Sequence, residues 1–453
     1  MKSLFDSPAV LTVEKLVSGG LGLARLDGEV LLLPGVLPGE VVKAEVGQAE
    51  RGVRRGRLLE VLEASPFRTE PDCPVAGICG GCDFLFVEPG SALALKSRAA
   101  LGDLAAGLGL EIELAESPVG SAYRSRATLH LGPGSDGGFK VGFFNARREV
   151  VDISGCRLLA PELLELLPPL QGWAEALPES ATGLSDAEIN LMKDLDDDGR
   201  MIIVTPWSGP GGRDRKKRSP VSSGLEAEVK KLKAVLKSRD LAEVALYYCP
   251  RNGAAPRRLS PAGPERLTAA HWPELDLTLT VAPGGFTQVN PAVNKVMVEK
   301  ILEAAGKLGR GRALDLYSGL GNIALPLVKS GWSVTAVEES PSGAAAARRN
   351  GRGLSGFTLL ENRSEKAVVD LARQGRSFDL IILDPPRSGA KDLAPTLAAL
   401  KPRAIIYVAC HPAVLKRDLP AFASLGYRVA RLAAFDMFPR TSHLEAMAVL
   451  NGL

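Results

Sequence analysis

The stretch that most limits what this chain can fold into is residues 313–322. There an apolar run, Ala313-Leu314-Asp315-Leu316, breaks into Tyr317-Ser318-Gly319-Leu320-Gly321-Asn322 and then into a helical pattern. A strand that turns through glycines into a helix brings bare backbone to its carboxyl end, which is where ligands sit in open α/β sheets. The alternation continues, with strands expected at Arg312–Leu316, Ser333–Val337, Asp379–Leu383 and Ala404–Ala409. Between them lie alanine- and leucine-rich helical stretches such as Ser342–Asn350 and Leu393–Leu400. This pattern predicts a parallel sheet covered by helices on both faces. Two last strand candidates, Arg428–Phe435 and Leu444–Leu450, have no long helix between them and are expected to pair antiparallel.

At 453 residues the chain is too long for one ordinary core. We read three regions: a small β-barrel over 1–63, a central α+β region over 64–290, and the α/β region over 291–453. The first holds short apolar runs broken by glycine, and ends with Arg51, Arg54, Arg55 and Arg57. Such arginines either track a phosphate backbone or guard an edge strand against aggregation. In the central region, Asp194 and Asp196–Asp198 fit a hairpin tip and not a metal site, and the basic stretch around Arg213–Arg218 fits a surface loop. A net charge of +3 neither demands nor excludes a polyanionic partner. No apolar run is long enough to span a membrane, and Asp6 interrupts the place where a secretory signal would need its apolar core. The six cysteines cluster and do not spread as a disulfide framework, so a reducing cytoplasm is the expected compartment and a monomer the expected state.

Gly319-x-Gly321-x-x-Ala324 also matches a dinucleotide fingerprint, so the motif alone leaves nicotinamide and S-adenosylmethionine both open. Two features favour the latter. Asp315, just before the turn, can serve a cationic aminoacyl sulfonium and would be poorly placed against a pyrophosphate. The fourth strand ends in Asp384-Pro385-Pro386-Arg387, again at the ligand edge. Glu338, 19 residues after Gly319, can accept hydrogen bonds from ribose hydroxyls.

Cys410 closes the strand Ile405–Ala409 and precedes His411-Pro412. As a thiolate at that edge it is a nucleophile, whereas a free cysteine in a core is only a small apolar filler. Glu445 interrupts the apolar final strand, and an unpaired buried carboxylate is costly enough to imply a role, such as general base. His443 shares its strand face, with a structural or a catalytic role equally open. Thiolate, base and methyl donor together imply methylation of carbon 5 of uracil, activated by addition at carbon 6, on a base out of its stack. Cys73, Cys79 and Cys82, with Cys156 far along the chain, suit iron–sulfur or zinc. Cys249 is expected to be a buried filler.

The chain resembles the RNA uracil-5 methyltransferases, specifically their iron–sulfur-containing 23S ribosomal RNA branch. Leu16-x-x-Gly19-Gly20-x-Gly22 and Leu37-Pro38-Gly39-Glu40 are similar to a TRAM domain, and Phe286-Thr287-Gln288-Val289-Asn290 is similar to the family's Phe-x-Gln-x-Asn. The resemblance implies a TRAM/OB-like barrel, a Rossmann-like class I methyltransferase domain and an RNA substrate. It places Gln288, Tyr317, Asn322, Glu338, Asn362 and Asp384 at cofactor or substrate positions. It makes Cys410 the nucleophile and Glu445 the base, and it implies a [4Fe–4S] cluster on Cys73, Cys79, Cys82 and Cys156. The family usually has Asn where His411 stands, so a bond at that helix start is expected to differ. The alternatives are an RNA-folding factor of the same architecture without catalysis, or a transfer-RNA enzyme of the same family.

Overall fold

The computed structural model describes residues 8–134, 136–178, 187–206, 221–251 and 254–452. The basic stretch Arg213–Arg218 lies outside the described residues. Six strands come first: β1 (Ala9–Thr12), β2 (Lys15–Val17), β3 (Leu21–Leu26), β4 (Glu29–Leu33), β5 (Val41–Val46) and β6 (Val53–Glu63). Their order, β1-β5-β6-β4-β3-β2, curls around a single core in which Leu11, Ala24, Leu31 and Val42 are buried together. Gly22 is required there, because a Cβ would stand 2.2 Å from Val36. Glu40 closes the barrel onto the chain that follows. Its buried carboxylate accepts from the Leu37 amide at 2.8 Å, the Ser65 amide at 3.2 Å and Arg68 Nε at 2.5 Å. Burial works to raise its pKa, but Arg68 and the two amides overcome that and hold it below the ordinary value.

Helix α1 (Pro89–Leu108) and strand β7 (Ile112–Ala115) follow, and then the central sheet. That sheet comprises β8 (Arg126–Pro133), β9 (Phe139–Phe144), β10 (Val150–Asp152), β11 (Ala187–Lys193), β12 (Arg200–Pro206), β13 (Ala245–Tyr248) and β14 (Arg257–Arg258), in the order β10-β9-β8-β11-β12-β13-β14. Helices α2 (Pro161–Leu164), α3 (Leu167–Glu175) and α4 (Val221–Lys237) lie along it, and Leu170, Trp173, Leu225 and Val229 fill the space against it. Asp194 closes the β11–β12 hairpin by accepting from the amides of Asp196 at 2.8 Å and Thr268 at 2.6 Å, a structural use of the acidic tip. Cys249 is buried as expected.

A hairpin of β15 (Leu267–Trp272) and β16 (Leu277–Val281) leads into α5 (Pro291–Gly306) and the last sheet. Its strands are β17 (Arg312–Leu316), β18 (Ser333–Glu338), β19 (Phe357–Glu361), β20 (Leu380–Leu383), β21 (Ala404–Ala409), β22 (Tyr427–Phe435) and β23 (Glu445–Gly452). The helices between them are α6 (Ala324–Lys329), α7 (Pro341–Asn350), α8 (Ser364–Arg373), α9 (Ala394–Ala399) and α10 (Pro412–Ala423). The order is β19-β18-β17-β20-β21-β23-β22-β7, parallel except for β23, so the winding reverses between β17 and β20. That reversal opens a crevice at the carboxyl ends of the strands. β22 and β23 pair antiparallel, as their missing helix predicted.

The structure differs from the sequence reading at the boundary drawn before residue 291. β7 pairs parallel with β22 and completes the eight-stranded sheet, and α1 buries Leu93, Leu101 and Ala105 in the same core as Ile381, Ile405 and Leu432. A segment from before the central sheet therefore covers the far end of the last sheet. On the opposite face, Met201 and Tyr247 of the central sheet share one core with Trp272, Met297 and Ile382. The central and C-terminal regions are thus packed through common side chains. No helix among the described residues is long and apolar enough to cross a membrane.

Candidate active site

Every predicted strand-end residue falls on one edge of the last sheet. Leu316 pairs with Val337 and with Leu383, so Tyr317, Glu338 and Asp384 leave adjacent strands side by side. Leu383 pairs with Tyr407 in turn, which brings Cys410 to the same edge. β23 runs the other way and begins where its neighbours end. Ala409 pairs with Ala446, so Cys410 and Glu445 stand at the same end of the β21–β23 ladder, each one residue beyond that pair.

The turn after β17 is held in an uncommon conformation. Tyr317 has φ of 63°, Gly319 56° and Gly321 95°, a left-handed region that glycine tolerates and tyrosine rarely adopts. A Cβ on Gly319 would meet nothing within 4 Å, so open space lies beside that backbone. Glu338 ties the turn to its neighbour by accepting from the Gly319 amide at 2.9 Å, and its other oxygen accepts from the Ser340 amide at 2.7 Å. The Tyr317 hydroxyl donates to Glu365 at 3.1 Å. Asn322 is clasped by Asn294 of α5 through reciprocal bonds of 2.8 and 2.9 Å, a partner that sequence reading missed. Asn362 follows β19 and takes the Arg363 amide at 3.0 Å, while its own amide donates to the Glu338 carbonyl at 3.1 Å. Gln288 is half-buried in the segment entering α5, two residues before the helix cap Asn290.

Four titratable groups share this edge with little compensation. Asp315 is 1% exposed, and neither carboxylate oxygen has a well-formed hydrogen bond, although the Ala324 amide at the next helix is the nearest donor. Burial, then Asp384 and Glu338, hold its pKa well above the ordinary range. Burial raises Asp384, and Glu445 is raised by burial and by Asp384, with its Oε2 unpartnered. Burial also pushes the Cys410 thiol up, Glu445 and Asp384 add to that, and Arg387 opposes it. Such a cluster is expensive unless a ligand supplies what is missing. His411 starts α10 and makes no side-chain capping bond.

The cysteines form a second locus. Cys73, Cys79, Cys82 and Cys156 line a single cavity with Arg124 and Phe143, which brings the distant fourth cysteine to the other three. Among the described residues, no group of three or more His, Cys, Asp or Glu side chains is arranged to hold a metal ion as it stands. The expected ligand set is therefore gathered around one space without forming a ligand shell. Burial raises the thiols of Cys79 and Cys82, Cys156 adds to both, and Arg124 opposes. The Arg124 Nε is buried without a hydrogen-bond partner among the described residues. In the barrel, Arg54 donates to Glu29 at 2.5 Å and Arg57 to Glu45 at 3.0 Å, so two of the four arginines already pair across the sheet.

A sheet reversed at β17–β20, with a glycine turn and carboxylates at its carboxyl edge, is a Rossmann-like arrangement that fits a class I methyltransferase. The TRAM domain profile matches residues 10–59, and the tRNA (Uracil-5-)-methyltransferase profile matches residues 275–353 and 357–452. The 23S rRNA (uracil(1939)-C(5))-methyltransferase RlmD of Cronobacter sakazakii is 34% identical over 97% of this chain and 95% of its own length. The protein of that name from Salmonella choleraesuis is 32% identical over the same shares. The crystal structure of Pyrococcus abyssi tRNA (uracil-54, C5)-methyltransferase with S-adenosyl-L-homocysteine superposes with a TM-score of 0.68 at 22% identity, covering 97% of this chain and 100% of that one. That last likeness is one of fold. The chain belongs to the RNA uracil-5 methyltransferase family.

The shifts at Cys410 give a prediction with a definite sign. Alkylation by iodoacetamide, followed by the mass of the Cys410 peptide, should titrate above the ordinary thiol value of about 8.5. Replacing Glu445→Gln removes a neighbouring negative charge, favours the thiolate, and should lower that midpoint. An upward move, or a wild-type midpoint below the ordinary value, would contradict the electrostatics described.

Proposed function

We propose that this protein methylates carbon 5 of a uridine in 23S rRNA, with S-adenosylmethionine as methyl donor, Cys410 as nucleophile and Glu445 as base. The carrying observation is the Ala409–Ala446 pair, which sets a thiol and an unpartnered carboxylate at one end of the ladder, on the same edge as the glycine turn. Gln288, Tyr317, Asn322, Glu338, Asn362 and Asp384 are assigned to the cofactor, together with Asp315, Gly319 and Gly321. In this reading Asp315 faces the donor's positive charge, which explains a buried carboxylate left without a bond.

The chemistry follows from the weakness of carbon 5 as a nucleophile. Cys410, after losing its proton to solvent, adds to carbon 6 of the uracil, and the electrons of the 5,6 double bond move onto carbon 5 and the 4-oxygen as an enolate. Carbon 5 then forms a bond to the sulfonium methyl, and S-adenosylhomocysteine leaves with the electron pair of the broken bond. Glu445 takes the proton from carbon 5, the 5,6 double bond reforms, and the carbon–sulfur bond breaks to return the thiolate. Each step needs the base outside its helix stack. The barrel, with its arginines, is assigned to phosphate contact, and the enzyme to the cytoplasm as a monomer.

Cys410→Ala should abolish both methylation and any covalent adduct. Glu445→Gln should permit addition and methyl transfer but stall elimination, leaving a protein–RNA conjugate that survives denaturation. A denaturing gel with labelled RNA and methyl donor separates these outcomes. Turnover by Cys410→Ala removes the nucleophile assignment, and wild-type turnover by Glu445→Gln removes the base.

The four-cysteine cavity is assigned to a [4Fe–4S] cluster. A donor set of four thiols, apolar walls and an arginine with a free N–H suits a group of net negative charge. With four thiolate ligands it leaves no open iron, so its contribution is to cross-link the turn 73–82 to the loop carrying Cys156. Anaerobically purified protein should carry about four iron atoms per chain, and Cys156→Ser should lower that content. Zinc in place of iron would overturn the assignment.

A further inference from the structure

Lys96 lies on the buried stripe of α1, three residues after Leu93 and four before Ala100, where the helix faces the last sheet. Its side chain is 1% exposed, and an ammonium held there needs a full set of acceptors. It has them. The Nζ donates to Asp436 Oδ1 at 2.6 Å and lies 3.2 Å from the Phe438 carbonyl, 3.1 Å from that of Thr441 and 2.8 Å from that of His443. An ammonium has only three N–H groups, so these acceptors occupy it completely.

All of these acceptors belong to the segment 436–443 that joins β22 to β23, and the last stands two residues before Glu445. The segment belongs to no strand; the Asp436 amide ties it to the sheet by donating to the Ala115 carbonyl at the end of β7 at 2.9 Å. From outside, Asp83 accepts from the Ser442 amide at 2.7 Å and its hydroxyl at 2.6 Å, the Tyr123 hydroxyl donates to the Pro439 carbonyl at 3.1 Å, and Arg440 pairs with Asp72. From inside, the Lys96 ammonium binds both the start and the end of the segment.

We propose that Lys96 is a positioning residue for the reaction: by gathering 436–443 around its ammonium, it fixes the start of β23 and so the place of the Glu445 carboxylate. The proposal rests on the reading of Glu445 as base. It concerns the last chemical step selectively, because Glu445 is needed after methyl transfer, whereas the segments of Cys410 and the cofactor turn supply none of the acceptors of Lys96. A displacement of about 1 Å in a reacting group can slow a step by about a hundredfold.

The test compares the full-length Lys96→Gln protein with wild type and with Glu445→Gln, on the same RNA and S-adenosylmethionine. Affinity for S-adenosylmethionine and the single-turnover rate of methyl transfer should stay within about threefold of wild type, while steady-state turnover falls about 10- to 100-fold and a denaturation-resistant conjugate accumulates. A merely structural lysine would lower the melting temperature and reduce every activity together, without conjugate. Wild-type turnover, or loss of activity without conjugate, overturns the proposal. If Lys96→Gln does not fold, Asp436→Asn removes the charged acceptor and leaves the three carbonyls on Nζ, and the same outcomes decide. Glu445→Gln turning over freely would instead remove the base assignment. Glu445→Gln trapping conjugate while the Lys96 and Asp436 variants turn over normally would remove only this inference.

Discussion

Carboxylates kept out of water at one edge of a parallel sheet are the constraint on which the rest of this structure depends. Burial raises Asp315, Asp384 and Glu445, Asp384 adds to that at Asp315 and Glu445, and Glu445 and Asp384 add to the burial that raises the Cys410 thiol. A fold selected only for stability would replace them with apolar groups of similar size. Their retention makes sense when the missing partners arrive with the ligands. In the proposed function a sulfonium would supply positive charge beside Asp315, and an unstacked pyrimidine would supply an electrophilic carbon to the thiol and a proton to Glu445. Binding would then relieve the crowding of charge at the resting edge.

Holding such a site requires that its elements not shift, and the chain meets this by packing distant segments together. The reversal between β17 and β20 opens the crevice, and the Ala409–Ala446 pair sets Cys410 and Glu445 at one end of one ladder. α1 and β7, from well before the central sheet, close the far side of the methyltransferase sheet. The segment before Glu445 is then held by Lys96 within and by the flanks of the cysteine turn, Asp72 and Asp83, without. The turn that carries Cys73, Cys79 and Cys82 and the edge that carries Glu445 thus meet at one loop.

What the sequence made legible was local. Strand ends at Leu316, Leu383 and Ala409 follow from runs of apolar residues meeting glycine, proline or a polar side chain, and the structure places all three within a residue of expectation. The antiparallel close of β22 and β23 followed from the missing helix. β7 was invisible because Ile112-Glu113-Leu114-Ala115 is short, and its partner Leu432 lies some 320 residues away. No local period reports a pairing of that range. Asn294 was missed because its only signal is the reciprocal bond to Asn322, which exists only after folding. Lys96 could have been found: a lysine on the apolar stripe of a helix announces a buried partner. Cysteine spacing identified a cluster of thiols, but their chemistry does not choose the metal.

The central claim is that Cys410 and Glu445 act in turn on one uracil, and RNA carrying 5-fluorouridine at the target position tests it most directly. Addition at carbon 6 and methyl transfer can proceed, but fluorine replaces the proton that Glu445 must remove, so elimination is blocked. The account predicts a stable conjugate whose trimmed peptide carries a methylated fluorouridine on Cys410. A conjugate on another residue, or none from enzyme that methylates ordinary RNA, would contradict it.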